Sequence, residues 1–287
     1  ILSLLLAAAV LLGSAPAALA ASSASDSVIE EVIRATGIMV GDESGDMNLN
    51  NTVTRAEYAK MLVAASTYKD KVSGVSNSSP FSDVPYTHWA AGYIKTAVAQ
   101  GWLTGYLDGS YKPDNTVTLE EAATGALKLL GYTTEDFSGS YPYGQLALYE
   151  SLGLDTKVTA SQGTAMTRRN MMYLFYNLLN AETGDGQVYA QTLGYTLNDN
   201  GEIDYLSMVS DTMQGPYVVE GSLSDIVSGD NKTVYRNGYA STADAVQKYD
   251  VVYYNDSAIW AYANAVTGTY QSASPSTSSP TSVTVAG

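Results

Sequence analysis

The chain has 287 residues and no cysteine, which excludes disulfides, thiolate metal sites and a cysteine nucleophile. A single histidine, His88, rules out a multi-histidine metal site, and no serine with a matching acid stands beside it to suggest a triad. Basic residues are scarce: 14 Lys and Arg face 29 Asp and Glu, for a formal charge of −15. Nothing here makes a basic footprint for nucleic acid, so any anionic partner has to be met locally. The acidic loops do not follow the spacing of a Ca²⁺ loop, and there is no P-loop or dinucleotide fingerprint, so no metal or cofactor is expected. Glu30-Glu31 and Glu120-Glu121 are sequence neighbours on predicted helices, where adjacent residues do not converge on one substrate atom. No other acid pair is singled out for glycosidase chemistry, and the chain is not expected to be an enzyme.

Long apolar runs are also missing, except at the start. Ile1 to Leu12 is almost uninterrupted and is followed by Gly13-Ser14-Ala15-Pro16 and the small-x-small sequence Ala18-Leu19-Ala20. This predicts a secretory signal peptide over residues 1–20 and an exported protein with no membrane contact after cleavage. No initiator Met or basic stretch precedes the run, and Thr281 to Gly287 reads as a strand just begun. A longer reading frame is expected at both ends.

What is present is a repeat. Phe81 to Tyr132 runs from the Asp83-x-Pro85 turn into a helix near Trp89, with Ala90, Ile94, Ala97 and Val98 on one face. Gly101 stops that helix, and Gly105-Tyr106-Leu107-Asp108-Gly109-Ser110-Tyr111 forms a turn-rich loop. A second helix opens on the capping box Thr118-x-x-Glu121. The same order appears upstream, in a helix from Ser27 to Thr36 ending at Gly37, then Gly41 and Thr54-Arg55-Ala56-Glu57. Gly41 to Thr54 and Gly105 to Thr118 each span 13 residues, a duplication with a period of 64. A third, more worn copy places a helix at Tyr143 to Ser151, a stop at Gly153 and a second start at Thr167-Arg168-Arg169-Asn170. Its loop is shorter, 14 residues from Gly153 to Thr167 against 17 from Gly37 to Thr54. Three such units, too small to fold singly, are expected to share one core.

Arg55 and Arg168 stand in the first turn of a predicted helix, where the helix dipole favours acids over cations. Helix-start amides with a guanidinium beside them make a carboxylate or phosphate site; the alternative is that Arg55 pairs with a loop carboxylate such as Asp42. The second copy has Leu119 at this position. Trp102 reads as either core or an exposed aromatic platform, and Trp89 as core. Gly105, Tyr106, Asp108 and Gly109 could line a groove or simply form a turn.

Phe81, Asp83, Val84, His88, Trp89, Ala90, Ile94, Gly101, Gly105, Tyr106, Asp108, Gly109, Tyr111, Pro113 and Asp114, in this order and spacing, resemble the S-layer homology (SLH) module by which bacterial surface proteins hold cell-wall polysaccharide. The resemblance covers about residues 27–182. It implies an α + β multidomain chain: a mainly helical SLH triplet, packed as a pseudo-threefold bundle with grooves between modules, then a small β-rich domain. The expected division is signal peptide 1–20, modules 21–78, 79–136 and 137–195 (the last degenerate), β-rich domain 196–270, and linker with the start of a further domain 271–287. It also implies non-covalent binding of an acidic, pyruvylated secondary cell-wall polysaccharide or a peptidoglycan-linked glycan, with self-association in a surface layer as a second kind of contact. The polysaccharide site would draw on Arg55, Arg168, Glu57, Gly41, Trp102, Gly105, Tyr106, Asp108 and Gly109, with Arg55 in the better-formed groove. His88 would be a structural helix-start residue. The alternative from the enzyme class is the anchor of a wall or polysaccharide hydrolase whose catalytic domain lies beyond residue 287.

Past Asn198-Asp199-Asn200-Gly201 the pattern changes to short β-branched and aromatic runs at 217–219, 232–235, 250–254 and 258–262. One short helix at most is expected, near Ala243 to Lys248, and Gln271 to Pro280 is Ser/Pro/Thr-rich and linker-like.

Overall fold

The computed structural model describes residues 24–42, 45–209, 213–230, 232–237, 239–255, 258–263, 269–274 and 282–286. The expected signal peptide lies outside the described residues. Six helices come first: α1 (Asp26–Thr36), α2 (Arg55–Ala64), α3 (Ala91–Ala99), α4 (Leu119–Leu129), α5 (Tyr143–Ser151) and α6 (Arg168–Asn180). They form three pairs. The first helix of each pair is followed by a glycine in the left-handed region, Gly37, Gly101 and Gly153, at φ of 71°, 76° and 69°; a side chain there would meet the following carbonyl, so glycine ends the helix at least cost.

The second helix of each pair opens on a threonine whose hydroxyl accepts from the amide three residues on: Thr54 from Glu57, Thr118 from Glu121, Thr167 from Asn170. Both glutamates reach back to the cap amide, completing capping boxes. The third cap has no such carboxylate; the Asn170 amide oxygen instead accepts from the Thr159 backbone and hydroxyl.

The three helix starts meet. The amide of Val53 donates to the Met166 carbonyl, Met166 to Val117, and Val117 to Val53, at 2.9–3.0 Å. This closed ring lies at the centre of the helical region, its three side chains at most 1% exposed. One residue beyond each cap, Arg55 donates to the Asn115 carbonyl, Leu119 to Thr164 and Arg168 to Asn51. Each pair thus lends its second helix start to the loop of the next, around the circle. Every residue from Asn170 to Asn180 of α6 is buried, so the most central helix belongs to the most worn repeat.

Two short helices, α7 (Tyr189–Thr192) and α8 (Tyr205–Val209), lead to a five-stranded sheet. Its strands are β1 (Gln214–Val218), β2 (Thr233–Arg236), β3 (Tyr239–Ser241), β4 (Val251–Tyr254) and β5 (Ala258–Tyr262), in the order β1-β4-β5-β2-β3. A separate hairpin joins β6 (Thr269–Ser274) to β7 (Ser282–Ala286). The architecture is therefore α + β. Strands appear at four of the runs expected from sequence, but β3 and the parallel pairing of β2 with β5 were not legible, since a parallel partner is chosen by distant chain. Two expectations are corrected. The short helix of this region is α8, with only a single 3₁₀ turn at Ala243–Ala245, and residues 271–274 of the expected linker belong to β6. The linker's 275–280 lie outside the described residues.

One face of the five-stranded sheet packs on its own loops through Val219, Leu223, Val234, Val252, Ile259 and Ala261. On the other face Tyr235, Ala258 and Trp260 join the same core as the helices. Among the described residues no helix is long and apolar enough to cross a membrane.

Candidate functional site

Two open grooves lie at equivalent places around the ring. The first is lined by Ile38, Met39, Val40, Glu57, Lys60, Met61, Trp89 and Arg168. The second, of about 300 Å³, is lined by Trp102, Leu103, Thr104, Glu121, Thr124, Lys128, Tyr141, Gln145 and Arg55, with Thr134 and Phe137. Ile38, Met39, Val40, Glu57 and Lys60 are each followed 64 positions on by Trp102, Leu103, Thr104, Glu121 and Thr124, so both grooves have the same wall from successive repeats. The opposite wall also matches. Trp89 and Tyr141 stand 12 residues before Gly101 and Gly153, and each arginine comes from the remaining repeat.

The two arginines are used differently. Arg55 is 6% exposed. Its Nε donates to the Tyr111 carbonyl at 2.9 Å, Nη2 to the Thr104 carbonyl at 2.8 Å, and Nη1 to Glu121 Oε1 at 2.8 Å. The guanidinium also lies 4.6 Å and 5.1 Å from the ring centres of Tyr111 and Tyr106. It does pair with a carboxylate, but with Glu121 and not with Asp42, which accepts from the Asp46 amide and the Asn48 side chain. Arg168 donates from Nε to the Met47 carbonyl and from Nη2 to the Val40 carbonyl. Among the described residues Arg168 has no ion pair, although Glu57, the counterpart of Glu121, lines the same groove. Lys60 and Lys128, one on each groove, form no ion pair among the described residues.

At the third equivalent place Leu119 replaces the arginine, and a lysine with a carboxylate partner stands there. Lys157, at the position of Gly41 and Gly105 in the other repeats, donates to Asp26 Oδ1 at 2.7 Å and to the Ala24 carbonyl at 3.0 Å. Tyr173, six residues past Thr167 as Lys60 is past Thr54, donates to Asp26 Oδ2. The Lys157 bond holds the Asp26 carboxyl below its ordinary range, against partial burial and with help from Tyr173.

Of the expected site residues, Arg55, Arg168, Glu57 and Trp102 line the grooves. Trp102 is nearly buried, edge-on to Tyr68 at 6.0 Å. The others shape loops. A Cβ on Gly105 would strike the Phe81 ring, and one on Gly41 the Gly45 backbone. Asp108 caps its turn through the Ser110 hydroxyl and amide, which lowers its pKa, the hydroxyl bond contributing most. Gly109 takes φ of 80°. Tyr106 is 39% exposed with the Lys112 ammonium 4.0 Å from its ring centre.

Sequence reasoning missed the exposed aromatics. Trp89, expected in the core, is 47% exposed, because α3 starts only at Ala91 and Trp89 precedes its buried face. His88 stacks on it and accepts the Ala90 amide at Nδ1. Tyr141 is 55% exposed at the matching place; the 12-residue spacing to the stop glycine was the signal that could have found it.

Comparison with known proteins gives this geometry a context. Residues 80–123 match the S-layer homology domain. The chain is 29% identical over 187 residues to the middle cell wall protein of Brevibacillus brevis, covering 62% of this chain and 18% of that protein. It is 33% identical over 135 residues to a surface layer protein of Brevibacillus choshinensis, covering 44% and 12%, and 34% identical over 90 residues to a cellulosome-anchoring protein of Acetivibrio thermocellus, covering 31% and 20%. The chain therefore spans at most a fifth of the length of these three relatives. It carries an S-layer homology domain and is similar to cell-wall and cell-surface proteins.

Proposed function

We propose that the helical region is a triplet of SLH modules about a pseudo-threefold axis, bounded near residues 21–78, 79–136 and 137–195, and that it anchors an exported protein to the cell wall without catalysis. The observation that carries this is the pair of matched grooves, each joining a helix-start arginine, a lysine and an exposed aromatic from different repeats. An aromatic face with cations at its edge suits a sugar that bears a carboxylate. The ligand is an acidic, pyruvylated secondary cell-wall polysaccharide. Arg168, Lys60 and Trp89 bind it in one groove; Lys128 and Tyr141 bind it in the other, where the nearly buried Trp102 backs the wall and Arg55 orients Glu121 and the Thr104 loop. Gly41, Gly105, Tyr106, Asp108 and Gly109 hold the loops that form the walls, and Glu57 holds the start of α2 beside Lys60. The β-rich region begins the part displayed on, or assembled into, the surface layer.

The test is calorimetric titration of the folded protein with extracted wall polysaccharide, before and after mild acid removes the ketal-linked pyruvate. Binding is expected to fall with depyruvylation and with added salt, since partly exposed charges are screened. Equal affinity for the treated and untreated polymer would remove the carboxylate from the reading. No affinity for either would remove the anchor.

A further inference from the structure

The two grooves differ at the positions that carry their charge. In the groove at Trp89 the Arg168 guanidinium makes two carbonyl bonds and no ion pair among the described residues. Lys60, on the second turn of α2, faces the same space of about 150 Å³. Two cations therefore meet over one small pocket beside an exposed indole, which suits a carboxylate.

The groove at Tyr141 has the same walls without that charge. Arg55 holds the place of Arg168, but Glu121 and two carbonyls take up its donors and the rings of Tyr106 and Tyr111 lie against it. Thr124 stands where Lys60 does, 64 positions on; its hydroxyl donates to the Glu120 carbonyl and keeps its lone pairs for another donor. Lys128 lies one turn further along, about 5.4 Å beyond Thr124 on the helix, in the last turn of α4 where the helix carbonyls favour a cation. No two free cations converge here among the described residues. Gln145 stands eight residues before its stop glycine, as Tyr93 does before Gly101. Its amide oxygen has no hydrogen-bond partner among the described residues, and a turn of the side chain presents it to a hydroxyl. Threonine for lysine, tyrosine for tryptophan and glutamine for tyrosine are each the smaller residue, and this groove is twice as large, about 300 Å³.

We propose that the two grooves read different units of one polymer: the Trp89 groove takes the sugar that bears the carboxylate, and the Tyr141 groove takes an uncharged sugar, its ring on Tyr141 and its hydroxyls on Thr124, Gln145 and Lys128. The assignment rests on the polysaccharide reading of the grooves and divides its specificity between them. Lys60 and Thr124, equivalent in sequence, are the residues that set the difference.

Calorimetry of the full chain tests this with the extracted polysaccharide and with the same polymer stripped of pyruvate by mild acid. The wild type should bind the native polymer about tenfold or more tightly than the stripped one. The double variant Arg168→Ala, Lys60→Ala should bind both alike, at the wild-type affinity for the stripped polymer. Tyr141→Ala should lower the affinity for both by the same factor, about fivefold, and so keep the preference for the native polymer. A preference that survives in the double variant, a Tyr141→Ala effect confined to the native polymer, or no binding of the stripped polymer by the wild type would each overturn the division and leave the anchor standing. Equal wild-type affinity for both polymers, or none for the native one, would instead remove the carboxylate or the polysaccharide reading, and the division with it. Should the double variant fail to fold, Thr124→Lys decides: a lysine at this place should raise the preference for the native polymer severalfold, and an unchanged ratio would overturn the assignment.

Discussion

Arg55 and Arg168 occupy the same position of the same motif, one residue past a threonine cap, and meet different surroundings. Arg55 faces an intact loop whose carbonyls at Thr104 and Tyr111 and whose neighbour Glu121 absorb its guanidinium. Arg168 faces the Val40–Met47 loop, makes two carbonyl bonds and leaves its charge uncompensated by any carboxylate among the described residues. The better-preserved repeat has therefore turned its arginine into a structural tie, and the more worn repeat keeps one facing a groove. Completeness of a motif is a guide to how well a unit folds; which cation remains for a ligand depends on the acceptors that the neighbouring unit brings.

The comparison can be broken most easily through stability. Arg55→Ala strips a nearly buried guanidinium from Glu121 and two carbonyls, and breaking such a pair costs about 3 kcal/mol. Arg168→Ala removes two partly exposed bonds and should cost about 1 kcal/mol. Denaturant unfolding of the two variants measures this, and equal losses would mean that Arg55 is not the tie described.

Binding should rank them the other way. Double substitution of Arg168 and Lys60 by alanine is expected to weaken polysaccharide binding tenfold or more, since a charge-assisted bond contributes about 1.5–3 kcal/mol and about 1.4 kcal/mol is tenfold. Calorimetry on the folded variant tests this, and unchanged affinity would take the groove out of the site.

Trp89 sharpens the contrast further. Trp89→Ala should lower affinity severalfold, for a contact of about 1 kcal/mol, with little change in stability because the ring is 47% exposed. Trp102→Ala should do the reverse, as its ring is nearly buried. Measuring affinity and unfolding temperature on both variants separates platform from core.

The smallest effect belongs to the third place, with its Lys157–Asp26 pair. The Asp26 pKa is lowered, so its contribution is present above the unfolded value and lost as the pH falls through the folded one. Asp26→Asn should therefore be slightly less stable than wild type at pH 7, by about 0.5 kcal/mol for so exposed a pair, and the two should converge near pH 2–3. A difference that persists in acid would exclude the Lys157 pair as its source.

Much of the helical region was legible because its signals are local. A stop glycine, a threonine cap and a buried face each act within one or two turns, so the bounds of α5 and the caps of α2, α4 and α6 follow from a few residues. Four of the five strands of the sheet were legible for the same reason, but not β3 and not their order, since β2 and β5 are brought side by side by chain that carries no local mark of it. Of the residues that line the two grooves, Arg55, Arg168, Glu57 and Trp102 were singled out from sequence, while Trp89 and Tyr141 were not, because exposure depends on where a helix begins.

By itself the sequence determined the repeat of 64 residues, the three threonine-capped helix starts and the presence of a cation at two of them, because propensity, capping and turn chemistry are properties of short segments. Only the tertiary structure decided what each cation does. Closure of the ring at Val53, Val117 and Met166 places every helix start against a loop from another repeat, and a guanidinium is claimed by whichever carbonyls and carboxylates that loop presents. The same holds for Glu31: in sequence it is one of two adjacent acids on a helix, and it became a partly buried carboxyl only when Tyr235, more than 200 residues away, was folded over it.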